Sequence, residues 1–483
     1  MAAAHDNDAA QKGGFRAWLN KRLPVDEFVE SQLTGYFAPK NFNLWYFFGA
    51  LAMLVFVIQI LSGIFLTMHY KPSEAEAFNS VEYIMREVEW GWLIRYMHST
   101  GASFFFVVVY LHMFRAMMYG SYRAPRELLW ILGMLLYLAL MAEAFNSVEY
   151  IMREVEWGWL IRYMHSTGAS FFFIVVYLHM FRAMMYGSYR APRELLWILG
   201  MLLYLALMAE AFMGYVLPWG NMSYWGAQVI VNLFGTIPVI GPGLVEWIRG
   251  DYGIADSTLN RFFALHVIAV PFAIAFLILM HLVALRQTGS NNPDGIEIKA
   301  KLGANGKPVD GIPFHPYYTV KDLFGVGVFL LFFCGVLFFV PTFGGLFLEK
   351  PNFEAANALS TPDHIAPVWY FTAFYAMLRA VPDQQLGALL MLLAIVVLFF
   401  LPWLDRSPVK SIRYKGWMSK VALALFVVSF IVLSYLGLQP ADGIAVILAR
   451  IFTAIYFLYF ILMPWYTSVE KTKAAPERVN YHA

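Results

Sequence analysis

Apolar residues along this chain gather into unbroken stretches rather than into the i, i+3, i+4 stripes of surface helices or the alternation of half-buried strands. The clearest stretches are 44–68, 325–340, 387–401, 421–436 and 444–463. A helix needs about 20 apolar residues to cross a hydrocarbon layer about 30 Å thick, so these read as membrane spans. Ten are expected, at 44–68, 97–119, 127–145, 164–186, 194–217, 262–285, 323–341, 385–403, 419–437 and 444–466. The pattern predicts an all-α, polytopic transmembrane helical bundle. A polar cytoplasmic segment 1–43 precedes it, and a connecting loop 287–322 divides the helices 44–286 from a C-terminal group 323–483. Two outer segments, 218–261 and 341–382, carry enough aromatics, prolines and glycines to cap the bundle at the interface.

One stretch occurs twice. Residues 75–145 recur at 142–212, and the copies differ only in Val107 against Ile174. Architectural repeats in solenoids and transporters diverge, whereas these two helices are copied almost letter for letter. A recent tandem duplication, or an artefact, is the favoured reading. Because it adds two spans, it leaves the sidedness of everything downstream unchanged, and removing one copy leaves eight.

Composition agrees with a membrane location: 60% of residues are hydrophobic and 14% charged, against about 45–50% and about 25% in soluble domains. Lys and Arg concentrate in the segments that place both termini in the cytoplasm. No cleavable leader is expected. The single cysteine, Cys334, excludes an internal disulfide, a C-x-x-C-H haem attachment and a four-thiolate cluster.

Chemistry enters with histidines inside the spans, where ionisable residues are costly and tend to be functional. His98 and His112 lie 14 residues apart, as do His165 and His179 in the second copy, and His266 and His281 lie 15 apart. Such intervals return a side chain to nearly the same helix face about 21 Å further on. Two parallel helices of this kind could clamp two non-covalent haems, one above the other, through iron–imidazole bonds. His98 or His165 would pair with His266 at the outer level, and His112 or His179 with His281 at the inner one. A lone histidine in a span is more often a hydrogen-bonded core residue, but paired spacing on two helices argues against that. Gly49 and Gly63, and Gly200 and Gly214, repeat the 14-residue interval. They would admit a flat macrocycle between helices, small-residue helix packing being the plainer reading. The connection SYRAPREL joins the second copy to the glycine-bearing helix, which favours His165 and His179 as the ligands.

The motifs RYMHSTGAS, YLHMFR, GYVLPWGNMSYWGAQV, RFFALH, GSNNPDG, FHPYYTVKD, APVWY and LPWLDRSPVKSIRYKGW resemble cytochrome b of proteobacterial respiratory complex III, in the family's order and over nearly the whole chain. The resemblance implies eight helices, with two b-type haems between the second and fourth. It implies quinol oxidation at an outer site, quinone reduction at an inner one, and a proton gradient across a bacterial inner membrane. Expected partners are an iron–sulfur subunit, a cytochrome c-type subunit, quinone, lipid and a second copy of the complex; nucleic acid is not among them. By motif, Arg95 or Arg162 resembles an outer haem propionate partner and Arg115 or Arg182 an inner one, although interfacial anchoring fits equally. The outer site would use Tyr215, Pro218, Trp219, Gly226, Pro367, Val368, Trp369, Tyr370 and Tyr375, the inner site Ser290, Lys321 and Asp322.

The chain departs from that pattern in three places. PVWY stands where PEWY is common, so the carboxylate associated with taking a quinol proton is missing; Glu246 in LVEWIRGD is a candidate substitute or an ordinary interfacial acid. Arg286 stands where many relatives have a quinone-contacting histidine, and a solvated helix end explains it equally well. The 15-residue interval needs one extra residue absorbed, for which a kink at Pro271 is the candidate. Other readings carry less weight. A transporter would call for buried acids or broken helices at mid-membrane, and a di-haem anchor of another dehydrogenase would not need APVWY and GYVLPWG.

Overall fold

The computed structural model describes residues 15–30, 47–71, 77–100, 145–304, 306–362 and 364–479. Regular structure among them is helical, with only two isolated β-bridges. The apolar runs become α1 (Phe47–Thr67), α2 (Gly158–Tyr186), α3 (Glu194–Val216), α5 (Asp256–Thr288), α6 (Thr319–Phe339), α8 (Gln384–Phe399), α9 (Trp417–Gly437) and α10 (Gly443–Ile461). Two labelled helices lie between spans: α4 (Asn221–Phe234) follows α3, and α7 (Thr372–Arg379) precedes α8. Residues 91–100 are helical, but most of the expected spans 97–119 and 127–145 lies outside the described residues.

The two copies of FNSVEYIMR fold alike, as helices Ala77–Arg86 and Phe145–Arg153. Each is followed by a tryptophan at positive φ, Trp90 at 60° and Trp157 at 63°. Next comes a glycine whose place no side chain could take: a Cβ at Gly91 or Gly158 would lie 2.0 or 1.8 Å from the carbonyl oxygen of Ile84 or Ile151. Local sequence thus dictates local structure in both places.

Packing divides the bundle. α3 packs along α5, while α7 lies against α8 and α9, and α9 against α10. The largest buried cluster joins α2 and α3 to α7–α10 through Phe173, Tyr204, Phe374, Phe426 and Tyr456. A second sits under the outer cap, where Met213, Val216, Tyr224 and Phe262 meet. α5 and α6 bury little of their apolar surface against protein, as expected of helices that face lipid.

The inner ends are held by buried charge. Arg22 pairs with Glu194 at 2.6 Å, fixing the N-terminal segment on the start of α3. Asp405, in the turn before α9, accepts from Lys415 Nζ at 2.6 Å and from the Tyr189 hydroxyl at 2.7 Å. Burial would raise the Asp405 carboxyl, but Lys415 and Arg190 hold it below the usual carboxylate range.

Candidate functional site

α2 and α5 bring four of the spaced histidines into two pairs. The rings of His165 and His266 have centroids 6.2 Å apart at an interplanar angle of 87°, and those of His179 and His281 are 6.4 Å apart at 62°. A metal ion held between two imidazoles at about 2 Å from each nitrogen separates the ring centres by about 6 Å, so both spacings suit one shared metal. His266 Nδ1 lies 2.9 Å from the Glu210 carbonyl oxygen, which orients its ring and leaves Nε2 for a ligand. His165 and His179 are exposed on α2, a span made mostly of apolar residues. The donor set, the spacing and the 14-residue separation together fit two stacked haems.

The extra residue between His266 and His281 is taken up by a π turn over Leu265–Ala269, in which the Val270 N–H reaches the Leu265 carbonyl. One inserted residue in a single wider turn restores the interval to an effective 14. Pro271 follows this turn; lacking an N–H, it makes a slip in the ladder cheap at that point. The expected kink is therefore a π turn upstream of the proline.

Glycines of α3 back the same rings. A Cβ at Gly214 would lie 2.4 Å from His266 Cε1, and one at Gly200 would lie 3.3 Å from His281 Cε1. They make room for the imidazoles themselves. Gly63 of α1 meets the other copy: its Cβ would lie 3.2 Å from His98 Cε1, and His98 Nδ1 is 2.9 Å from Ser62 Oγ. Gly49 lies on α1, while His112 and Arg115 lie outside the described residues. Arg162 is partly buried one turn before His165. Arg182 and Arg95 rest over the rings of Tyr186 and Tyr96.

Beneath the outer cap lies a cavity of about 420 Å³, almost wholly apolar, lined by Tyr215, Gly226, Pro367, Val368 and Tyr375 among others. α3, α4, the segment before α7 and α7 itself supply these residues. Their motif neighbours serve elsewhere. Trp369 donates to Ser170 Oγ at 3.1 Å, and Tyr370 stacks on Phe173 with centroids 3.9 Å apart, which ties the segment to α2. Pro218 is half-buried in the turn after α3, and Trp219 packs edge-on against Tyr224.

Glu246 is exposed and lines a separate polar depression with Asp251 and Arg261, not the apolar cavity. The acid beside the cavity is Glu349, which accepts a hydrogen bond from the Tyr215 hydroxyl. Burial pushes its carboxyl up to about 7. Sequence reasoning missed it because the contact joins residues 134 positions apart and FLEKPNF carries no spacing signal.

On the inner side, Arg286, Ser290, Lys321 and Asp322 are all exposed. Arg286 lies over the Phe314 ring and Lys321 over that of Tyr318. Arg286 and Ser290 thus lie at the C-terminal end of α5, and Lys321 and Asp322 in the first turn of α6, with Arg286 reaching the segment before α6 at Phe314.

The family model described as cytochrome b/b6/petB matches twice, over residues 33–145 and 135–289, so each copy of the repeat falls within one match. The model described as cytochrome b (C-terminal)/b6/petD matches residues 355–457. The chain is 53% identical over 480 residues to cytochrome b of Allochromatium vinosum, covering 98% of this chain and 100% of that one. It is 41% identical over 467 residues to cytochrome b of Rhodospirillum rubrum, covering 96% and 95%. It is 39% identical to the cytochrome b/c1 of Bradyrhizobium diazoefficiens, of which the match covers 56%. A solved hyperthermophilic respiratory complex III contains a similar chain, with a TM-score of 0.56, 34% identity, and 94% and 98% of the two chains covered.

Proposed function

This chain belongs to the cytochrome b family of respiratory complex III, an oxidoreductase complex, and from that premise we propose that it oxidises quinol in the outer cavity and reduces quinone near its inner face. The reading rests on the two imidazole pairs that α2 and α5 form. Haems bound there would supply a one-electron path between the two sites.

The chain's own residues do the rest. His165 with His266, and His179 with His281, would hold the haem irons through their imidazoles. The Glu210 carbonyl fixes the His266 ring, and Gly200 and Gly214 let α3 close on α5. Arg162 and Arg182 would supply cations for the haem propionates. Tyr215, Val368 and Tyr375 would surround the quinol ring in the almost wholly apolar cavity, and Arg286, Ser290, Lys321 and Asp322 would serve the inner quinone. Protons leave on the outer side and enter on the inner side.

Partner subunits follow from membership of the complex, and we assign an iron–sulfur protein and a cytochrome c-type protein to that role. The Bradyrhizobium relative, named cytochrome b/c1, extends well beyond the matched part. The assembly is read as a dimer in the bacterial inner membrane, with both termini of this chain cytoplasmic. Helices 44–286 form the haem-binding half, and 323–483 complete the outer site.

A reduced-minus-oxidised spectrum of the purified complex tests this directly. Two b-type haems per chain are expected, both reducible by quinol. A folded complex with no b-type haem would overturn the reading.

A further inference from the structure

A quinol becoming a quinone must shed two protons, and the outer cavity offers few groups to take them. Its titratable lining residues are Tyr215, Arg261 and Tyr375. Tyr375 already donates its hydroxyl to the Ile365 carbonyl at 2.9 Å. Arg261 is a cation and no acceptor. Val368, in the position where PEWY relatives carry an acid, is 5% exposed and apolar. Glu246 and Asp251 open onto the polar depression instead.

That leaves Tyr215, whose hydroxyl points at a carboxylate. We propose that Glu349 replaces the carboxylate missing at Val368, accepting a quinol proton through the Tyr215 hydroxyl. The inference rests on the reading of this cavity as the quinol-oxidising site. In the step, the quinol O–H bond breaks and its proton passes to Tyr215 oxygen, while the Tyr215 proton passes to a Glu349 carboxylate oxygen. One O–H bond is lost and one gained. The electrons leave to the one-electron metal acceptors of the complex, and the second proton departs separately.

Three observations support the assignment. Tyr215 bridges the two compartments, lining the cavity on one side and donating to Glu349 on the other. Glu349 sits in the outer segment, partly buried, beside the exposed Lys350, so a proton it accepts is close to the outer aqueous phase. Its carboxyl, raised by burial to about 7, is balanced between the two protonation states near neutral pH, where a proton acceptor works best. The titratable groups that face it are Tyr215 from α3 and Tyr370 from the turn before α7. No cation lies among them to hold the carboxylate charged.

The test compares quinol oxidation by the assembled complex carrying Glu349→Gln, Glu349→Asp, Tyr215→Phe, or Glu349→Gln with Val368→Glu, each checked for unchanged haem spectra. Glu349→Gln is expected to lower the rate by about 100-fold, in the range of a lost general base, and to remove the limb of the pH–rate profile near neutrality. Tyr215→Phe should slow the reaction with Glu349 still present. Glu349→Asp and the Val368→Glu combination should each restore at least part of the rate. A wild-type rate and pH profile in Glu349→Gln or Tyr215→Phe would overturn the inference. So would a loss that neither carboxylate restores, since a structural role would then suffice. If the wild-type complex itself fails to oxidise quinol, the underlying reading falls instead.

Discussion

Gly214→Ala tests how α3 holds the outer imidazole pair. A Cβ at this position lies 2.4 Å from His266 Cε1 and 2.9 Å from both ring nitrogens. Carbon atoms pack best at about 3.5–4.0 Å, so His266 has to retreat by more than about 1 Å. Metal–ligand distances tolerate about 0.2 Å, and the retreat therefore spoils the match between His165 and His266. At Gly200 the same methyl lies 3.3 Å from His281 Cε1, a crowding that a few tenths of an ångström relieves. Crowding costs about 1–3 kcal/mol, but alanine in a helix interior returns about 0.5–1 kcal/mol over glycine. Both variants should consequently fold. Purified complexes assayed for haem-to-protein ratio and reduced-minus-oxidised spectrum should show the outer haem lost or altered in Gly214→Ala, and both haems intact in Gly200→Ala. Two unaltered haems in Gly214→Ala, or equal losses in the two variants, would refute the reasoning.

His165→Leu with His179→Leu should remove both haems, whereas His98→Leu with His112→Leu should spare them; the opposite result, read by the same spectra, would transfer the site to the first copy. Lys415→Met leaves Asp405 buried without its nearest cation and should cost about 3–5 kcal/mol, most of it recovered by adding Asp405→Asn, as measured by thermal unfolding in detergent. Because the Asp405 carboxyl is held low in the folded chain, its contribution is full above the ordinary carboxylate range and is lost as pH falls through the lowered value. A melting temperature that stays flat on acidification in the wild type but falls in Asp405→Asn would contradict that sign. Arg286→Ala should slow reoxidation of the inner haem while sparing quinol oxidation, and unchanged flash-induced reoxidation kinetics would leave Arg286 as a solvated helix end resting on Phe314.

Much of the scaffold was legible because lipid imposes a simple rule. Runs such as 421–436 and 444–463 had to be helices, and α9 and α10 are. The histidine and glycine intervals were equally legible, since helical rise and rotation convert a count of residues into a face and a level. What the intervals could not reveal is how the odd residue between His266 and His281 is absorbed. A proline kink and a π turn leave the same count, and only the hydrogen bond from Val270 to Leu265 distinguishes them. The outer cavity was half legible. Its lining residues Tyr215, Gly226, Pro367, Val368 and Tyr375 came from recognisable motifs, yet the acid that sidedness suggested was Glu246 alone, because sidedness cannot tell a buried acid from an exposed one. Long-range pairing in an irregular segment leaves no periodicity to read.

The seat of His98 against Ser62 and Gly63 bears on the order in which the chain is made. Synthesis proceeds from the N-terminus, and early segments meet early partners first. When the first copy enters the membrane, α1 is the preceding span and α5 has yet to be made. The first copy can therefore settle on α1 with its imidazole satisfied by a serine hydroxyl. On that order of synthesis His98 would meet its serine before α5 is made, and the choice between two nearly identical stretches would then be one of timing.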